Sequence, residues 1–279
     1  MNYFFILFTL LSFEIGAQTN LSFDKRFVEC EDHWVAFKMN EDSSYTYGFI
    51  YIDEDAGLTF NREGNFKFGE ENALSVEKFK GTNIKARLQP NNVKVAIIPE
   101  TMFSQLQIDK QPEWLKFYKK DTNSIERLYK WGYMYNGWNE CSKAISYLMK
   151  AREIDPKYEG LSVELAFSYN CLKEYEKAEE ILEKELLLNP TNAYVNKEYI
   201  YTISKTERIE KAIEQYTSSL KTIKEETYNA ENCFNIMQFY YNKRDVKNFN
   251  IWYKKLNEYK NTNEVISDYA KRMKKELKG

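Results

Sequence analysis

The only histidine of the chain, His33, stands in Cys30-Glu31-Asp32-His33, the one place where a thiol, carboxylates and an imidazole are neighbours in sequence. A structural zinc site needs about four ligands, usually as two pairs, and no second Cys or His pair lies nearby. On an extended strand, residues 30 and 33 would also point to opposite faces. No metal or catalytic centre is therefore expected there. Asp53-Glu54-Asp55 reads as a turn rather than as paired acids, and the loop pattern of a calcium-binding EF-hand is missing. Glycine-rich phosphate loops and a nucleophile elbow are absent too. No cofactor is implied, and the chain is expected not to be an enzyme. A hydrolase using scattered carboxylates is the remaining catalytic reading.

The elements around these residues fall into three zones. Residues 1–18 hold an apolar stretch from Tyr3 to Phe13 followed by Ile15-Gly16-Ala17-Gln18. That core is shorter than the roughly 20 residues a membrane-spanning helix needs, but it has the length of a signal-peptide core with small residues before the cut. The expected mature start is near Gln18, although no Lys or Arg precedes the apolar core. Cys30 lies well past that cut, so a lipoprotein anchor is not supported. No later apolar run is long enough to span a membrane. These features predict an exported protein, periplasmic or secreted, of Gram-negative type.

Residues 19–111 alternate aromatic and β-branched segments with turn clusters: 33–39, 45–52, 57–60, 65–68, 83–89 and 93–98. They predict a small antiparallel β-domain of five to seven strands. Arg62-Glu63-Gly64-Asn65 and Gln89-Pro90-Asn91-Asn92 are read as hairpin turns, with Gly64 free to take positive φ. Pro112-Glu113-Trp114 is expected to open the helical part, and Asn123 with Glu126 to form a capping box at its first long helix.

From residue 123 onward the same residue types return at a fixed spacing. Ala144, Ala178 and Ala212 are 34 residues apart, as are Pro156 and Pro190, Leu148 and Leu182, and Tyr135 and Tyr169. Within one period, Leu128, Trp131, Gly132 and Tyr135 lie at helical spacing, and Ala144, Leu148 and Ala151 form a second helical set. Gly132 facing Ala144 would let the two helices of a hairpin approach closely. Asp155-Pro156 stops the second helix.

A 34-residue helical period with a large residue, a small residue, a tyrosine, an alanine, a bulky apolar residue and a proline at these offsets resembles the tetratricopeptide repeat family. Units 125–158 and 159–192 match well. Unit 193–226 has Ile200 at the small position and Lys224 where proline would fall, and unit 227–260 is degenerate. Residues 263–278 read as a capping helix. The expected class is thus α+β, a small N-terminal antiparallel β-domain followed over 112–279 by a helical solenoid with its cap.

The resemblance implies that the first helix of each hairpin lines a concave groove. Its groove-facing offsets fall on Tyr129, Tyr133 and Asn136, on Val163, Phe167 and Asn170, on Tyr194, Lys197 and Tyr201, and on Asn235, Gln238 and Phe239. Such a groove suits a protein or peptide partner. The Lys and Asn pattern with which some family members hold a C-terminal carboxylate is not present, since Tyr133 and Phe167 stand where amides would be needed. By the same register Cys141 begins a second helix and Cys171 ends the next first helix, at one edge of the array. Axis spacings of about 8 to 10 Å argue against a bridge, and the sequence leaves the pairing open.

Charge does not choose a partner. The formal net charge is −2, and the 11 Lys or Arg against 5 Asp or Glu over residues 243–279 come with no nucleic-acid motif. The leading expectation is a non-catalytic exported scaffold or adaptor for protein–protein interaction. A glycan or small-ligand module using the β-domain is the alternative.

Overall fold

The computed structural model describes residues 21–279 except 80, 82, 83, 261, 278 and 279. The expected leader, residues 1–18, lies outside the described residues. The chain divides into two compact units, one ending at Lys119 and the other starting at Lys120.

The first unit is a six-stranded antiparallel sheet. Its strands are β1 (His33–Ala36), β2 (Tyr45–Asp53), β3 (Gly57–Phe68), β4 (Leu74–Lys78), β5 (Lys85–Arg87) and β6 (Ala96–Ile97), in the order β4-β3-β2-β1-β6, with β5 also on β3. Alternation along β2 sends Tyr47, Phe49 and Tyr51 to one face, where they are buried with Trp34, Phe66 and Leu115. A short helix, α1 (Phe103–Leu106), adds Leu106 to that core. A 3-10 turn over Glu113–Tyr118 sets Trp114 edge-on against Phe49 and Tyr51, at 5.9 and 5.0 Å between ring centroids. The segment from Pro112 therefore belongs to the β-unit, and the boundary lies later than the proline suggested.

The expected turn at Arg62–Asn65 is not a turn. β3 runs straight through it, and the register steps from Tyr47 opposite Gly64 to Gly48 opposite Arg62. Glu63 is the extra residue of a β-bulge. Gly64 is needed for close approach rather than for positive φ, because a Cβ there would come within 2.3 Å of the Glu77 carbonyl oxygen. The hairpin turn is the acidic stretch instead: Asp53 Oδ1 accepts from the Asp55 and Ala56 amides, both at 3.0 Å, and Gly57 has φ 76°. Gln89–Asn92 does not close a hairpin either, since β5 pairs with β3 and β6 with β1.

Among the described residues the second unit is four helical hairpins and a last helix. These are α2 (Ile125–Gly137) with α3 (Cys141–Ile154), α4 (Leu161–Cys171) with α5 (Tyr175–Leu188), α6 (Ala193–Ser204) with α7 (Ile209–Thr222), α8 (Asn229–Asn242) with α9 (Val246–Leu256), and α10 (Glu264–Glu276). The helix bounds follow the expected 34-residue units. Ser124, not Asn123, caps α2, its hydroxyl accepting from the Arg127 amide at 3.3 Å, so the Asn123–Glu126 box does not form.

Ala144, Ala178 and Ala212 are each fully buried, as are Leu148 and Leu182. Gly132 packs against Leu148: a Cβ on it would lie 2.4 Å from Leu148 Cγ. Cys141 and Cys171 are joined by a disulfide, with Cα atoms 6.3 Å apart. The argument from axis spacing fails because both residues sit at helix ends, where the chain leaves the axis and side chains reach across. Cys30 and Cys233 are buried free thiols.

Ala178 is fully buried, so Ala178→Leu is expected to cost about 1 to 3 kcal/mol through overpacking. A thermal transition equal to that of the wild type would contradict this packing.

Candidate binding surface of the helical unit

The first helices of successive hairpins pack on one another, α2 on α4, α4 on α6 and α6 on α8, while each second helix packs chiefly on the first helices beside it. The first helices thus form one continuous row through the unit.

A buried hydrogen-bond relay connects them. Asn136, near the end of α2, donates through Nδ2 to Glu164 Oε2 at 2.9 Å and receives the Ser168 hydroxyl at 2.6 Å. One repeat on, Asn170 donates to Glu198 Oε2 at 3.1 Å and receives the Thr202 hydroxyl at 2.9 Å. The amides expected to meet a partner are thus spent inside the array: Asn136 and Asn170 are each 3% exposed. Val163 is buried in the core. Asn235 is buried as well, its Nδ2 without a hydrogen-bond partner among the described residues.

Lys197 is likewise interior rather than groove-lining. Its ammonium pairs with Glu198 and, at 3.6 Å, with Glu231, and lies over the Tyr194 and Tyr228 rings at 4.7 and 5.5 Å. Burial acts to lower its pKa, but the two carboxylates outweigh burial and hold it above the usual lysine value. Gln238 is half-buried and accepts from the Lys205 ammonium.

The remaining expected residues are the aromatic ones, and these do reach the surface. Tyr133 is 58% exposed. Phe167 and Tyr201, at the same place in the next two repeats, are half-buried, as are Tyr129, Tyr194 and Phe239. The Tyr129 ring stands 5.2 Å from that of Tyr158, and the Tyr194 hydroxyl donates to Glu164 Oε1 at 3.2 Å. Gly160 permits this arrangement: it has φ 79°, and a Cβ on it would come within 2.4 Å of the Tyr129 hydroxyl.

Glu164, Glu198, Tyr158 and Tyr228 were not anticipated. The two glutamates had a signal, because Asn136/Asn170, Glu164/Glu198 and Ser168/Thr202 recur at the same 34-residue interval as the alanines. Tyr158 and Tyr228 lie outside the family's groove offsets, one between helices and one at the start of α8.

The sequence offered little chemistry elsewhere, and the structure shows where those residues went. Cys30 is in a 3-10 turn, not on a strand, and burial raises its thiol pKa to about 12. His33 is exposed, its Nδ1 2.6 Å from the Glu31 carbonyl. Among the described residues no group of three or more His, Cys, Asp or Glu could hold a metal ion.

No family model and no curated protein matches the chain. Solved structures do. The chain is similar to MamA (23% identity, TM-score 0.42) over 52% of this chain and 83% of that one. It is similar also to a tetratricopeptide repeat protein from Parabacteroides merdae (13%, 0.46) over 64% and 63%. A third is pilF of Pseudomonas aeruginosa (17%, 0.41), over 57% and 72%. The helical unit resembles the tetratricopeptide type through its own 34-residue recurrence.

Burial raises the Glu164 pKa above its ordinary 4.5, the Asn136 and Tyr194 hydrogen bonds opposing it only in part. A folded-state pKa above the unfolded one favours folding at low pH, and that contribution fades as pH rises through the folded value. Glu164→Gln should therefore melt above the wild type at neutral pH, with the gap closing as pH falls towards 4.5. Melting curves at the two pH values check it, and a gap that does not depend on pH refutes it.

Proposed function

We propose that the chain is a non-catalytic scaffold that takes a protein or peptide segment along the inner face of its helical unit. One observation carries this reading: the first helix of each of the first three repeats has an aromatic ring at the same position, Tyr133, Phe167 and Tyr201, and the first of these is 58% exposed. Rigid aromatic rings bury area at low entropic cost, and exposed aromatic strips mark contact surfaces. The reading no longer relies on amide donors, since Asn136 and Asn170 are buried.

Phe167→Ala or Tyr201→Ala should weaken partner capture by about 2 kcal/mol, the usual scale of an interface hot spot, with the helical circular dichroism unchanged. Lys271→Glu with Lys275→Glu on exposed positions of α10 should change capture little. Pull-down from an envelope extract with both variant sets tests this. Normal capture by the aromatic variants and failure of the α10 variants would move the site to the basic last helix.

We propose further that the protein is exported. The apolar segment Tyr3–Phe13 with Gly16-Ala17 after it supports this reading, and so does the Cys141–Cys171 bridge, because disulfides persist in oxidising compartments. N-terminal sequencing of the extracytoplasmic protein should begin near Gln18. An intact Met1 there would refute cleavage.

A further inference from the structure

Between α4 and α5 a cavity of about 290 Å3 opens. Leu161, Leu165 and Tyr169 of α4 line it on one side and Ile181 and Leu188 of α5 on the other, with Arg152 and Pro156 of the preceding repeat at its border. One period earlier, aromatic rings fill the same crevice. Trp131 and Tyr147 stand there at the positions of Leu165 and Ile181. Their rings meet edge-on at 5.2 Å, and Tyr147 stacks at 5.4 Å on Tyr135, the counterpart of Tyr169. The third repeat again has a ring at the Leu165 position, the buried Tyr199. The second repeat thus has aliphatic side chains at two places where the first has rings.

The second repeat nevertheless keeps the cations that accompany those rings. In the first repeat Lys143 lies over Tyr135 at 4.2 Å and Lys150 over Tyr147 at 5.8 Å. Their counterparts, Lys177 and Lys184, both line the cavity. Lys177 lies over Tyr169 at 5.3 Å, whereas Lys184 stands over no ring among the described residues, because Ile181 takes the place of Tyr147. Lys184 pairs with Glu180 at 2.7 Å, both side chains being exposed, and a pair of that kind holds its ammonium weakly. The other carboxylate of the lining, Glu185, accepts from Asn189 Nδ2 at 2.6 Å. Ring faces attract ammonium groups within about 6 Å, so apolar walls with an ammonium at the rim suit an aromatic ring better than an aliphatic chain.

We infer that this cavity receives one aromatic side chain from a segment of another protein, its ring lying against Leu165 and Ile181 with the Lys184 ammonium over its face. The volume suits a single ring, since pockets for larger ligands run from roughly 300 to 1,000 Å3. A protein segment is favoured over a free aromatic compound because Leu188, in the lining, and Leu187 beside it are 73% and 85% exposed. Large apolar side chains left in water next to a pocket give the residues flanking the ring something to contact. None of Tyr133, Phe167 and Tyr201 lines the cavity, so the inference is independent of the inner-face reading above.

The test uses the full chain and paired libraries of immobilised dodecapeptides, each pair differing only in one phenylalanine or its non-aromatic counterpart cyclohexylalanine. Retention should favour phenylalanine by about threefold, the scale of an exposed cation–ring contact. Lys184→Gln, at an exposed position where the fold is kept, should abolish that preference. Leu165→Trp and Ile181→Tyr, which copy the first repeat, should each lower retention of both forms by about tenfold with the helical circular dichroism unchanged, whereas Tyr133→Ala should leave the preference in place. Equal retention of the two forms by the wild type, or retention of no peptide, would overturn the inference. So would a preference that survives Lys184→Gln, Leu165→Trp and Ile181→Tyr but is lost in Tyr133→Ala, which would put the ring on the inner face. Self-association of the full chain that Leu165→Trp removes would put a ring of a second copy in the cavity and overturn the choice of another protein. Displacement of bound peptide by free p-cresol at the concentration at which the phenylalanine peptide itself displaces it would overturn the choice of a protein segment.

Discussion

The relay from Asn136 to Glu164 and Ser168, repeated as Asn170 to Glu198 and Thr202, sets the register between neighbouring repeats. Apolar contacts alone would allow one hairpin to slide on the next, since dispersion and hydrophobic burial are non-directional. A buried amide has two donors and an acceptor whose partners stand in one geometry only, and leaving one unmade costs about 1 to 3 kcal/mol. This requirement also shapes the inner face. It removes the amides from the surface, places two carboxylates in the interior, and leaves Tyr133, and in part Phe167 and Tyr201, as the side chains that reach the surface.

What the sequence could reveal tracks whether a signal repeats. The alanines, the leucines and the helix bounds return every 34 residues, so they are legible without any structure. The link between the two helices of a hairpin also recurs, with Asn139, Lys173 and Glu207 one period apart and all at positive φ, but their differing types leave no mark of it in the sequence. The buried state of Asn136 and Asn170 was missed because an amide at a groove offset was judged by its own chemistry. Glu164 and Glu198, on the next helix, decide its fate. A polar residue that recurs with the core positions is better read as a structural partner until an unmatched donor or acceptor is found.

The β-unit was less legible because its decisive features occur once. A polar, glycine-containing stretch in a strand-rich region signals either a turn or a bulge, and Arg62–Asn65 alone does not distinguish them. The distinction comes from Glu77, whose carbonyl oxygen lies where a side chain on Gly64 would stand. The strand that supplies this carbonyl, β4, carries only half-buried Leu74, Val76 and Lys78 on its inward side, a weak alternation. Tyr51 and Trp114 show the same dependence on distant residues, since the turn that brings Trp114 onto the sheet lies beyond the last strand.

The relay does not continue into the fourth repeat. At the third interface Ser204, Asn232 and Ile236 stand where amide, carboxylate and hydroxyl would be needed, and Asn232 Oδ1 has no hydrogen-bond partner. The fully buried Ile236 and Met237, with Trp252 packed beside them, fill this end, and the Tyr216 hydroxyl meets Tyr259 at 2.7 Å and the Cys233 thiol at 3.2 Å. At this interface the relay gives way to other polar contacts, Lys197 with Glu231 and Lys205 with Gln238, beside the apolar burial. Tyr133, on the first helix of the first relayed interface, is 58% exposed, while Phe167 and Tyr201 are half-buried. The α10 end relies on burial under a last helix. A terminal repeat is covered on one side only by its last helix, which relaxes the demand for regular residues there.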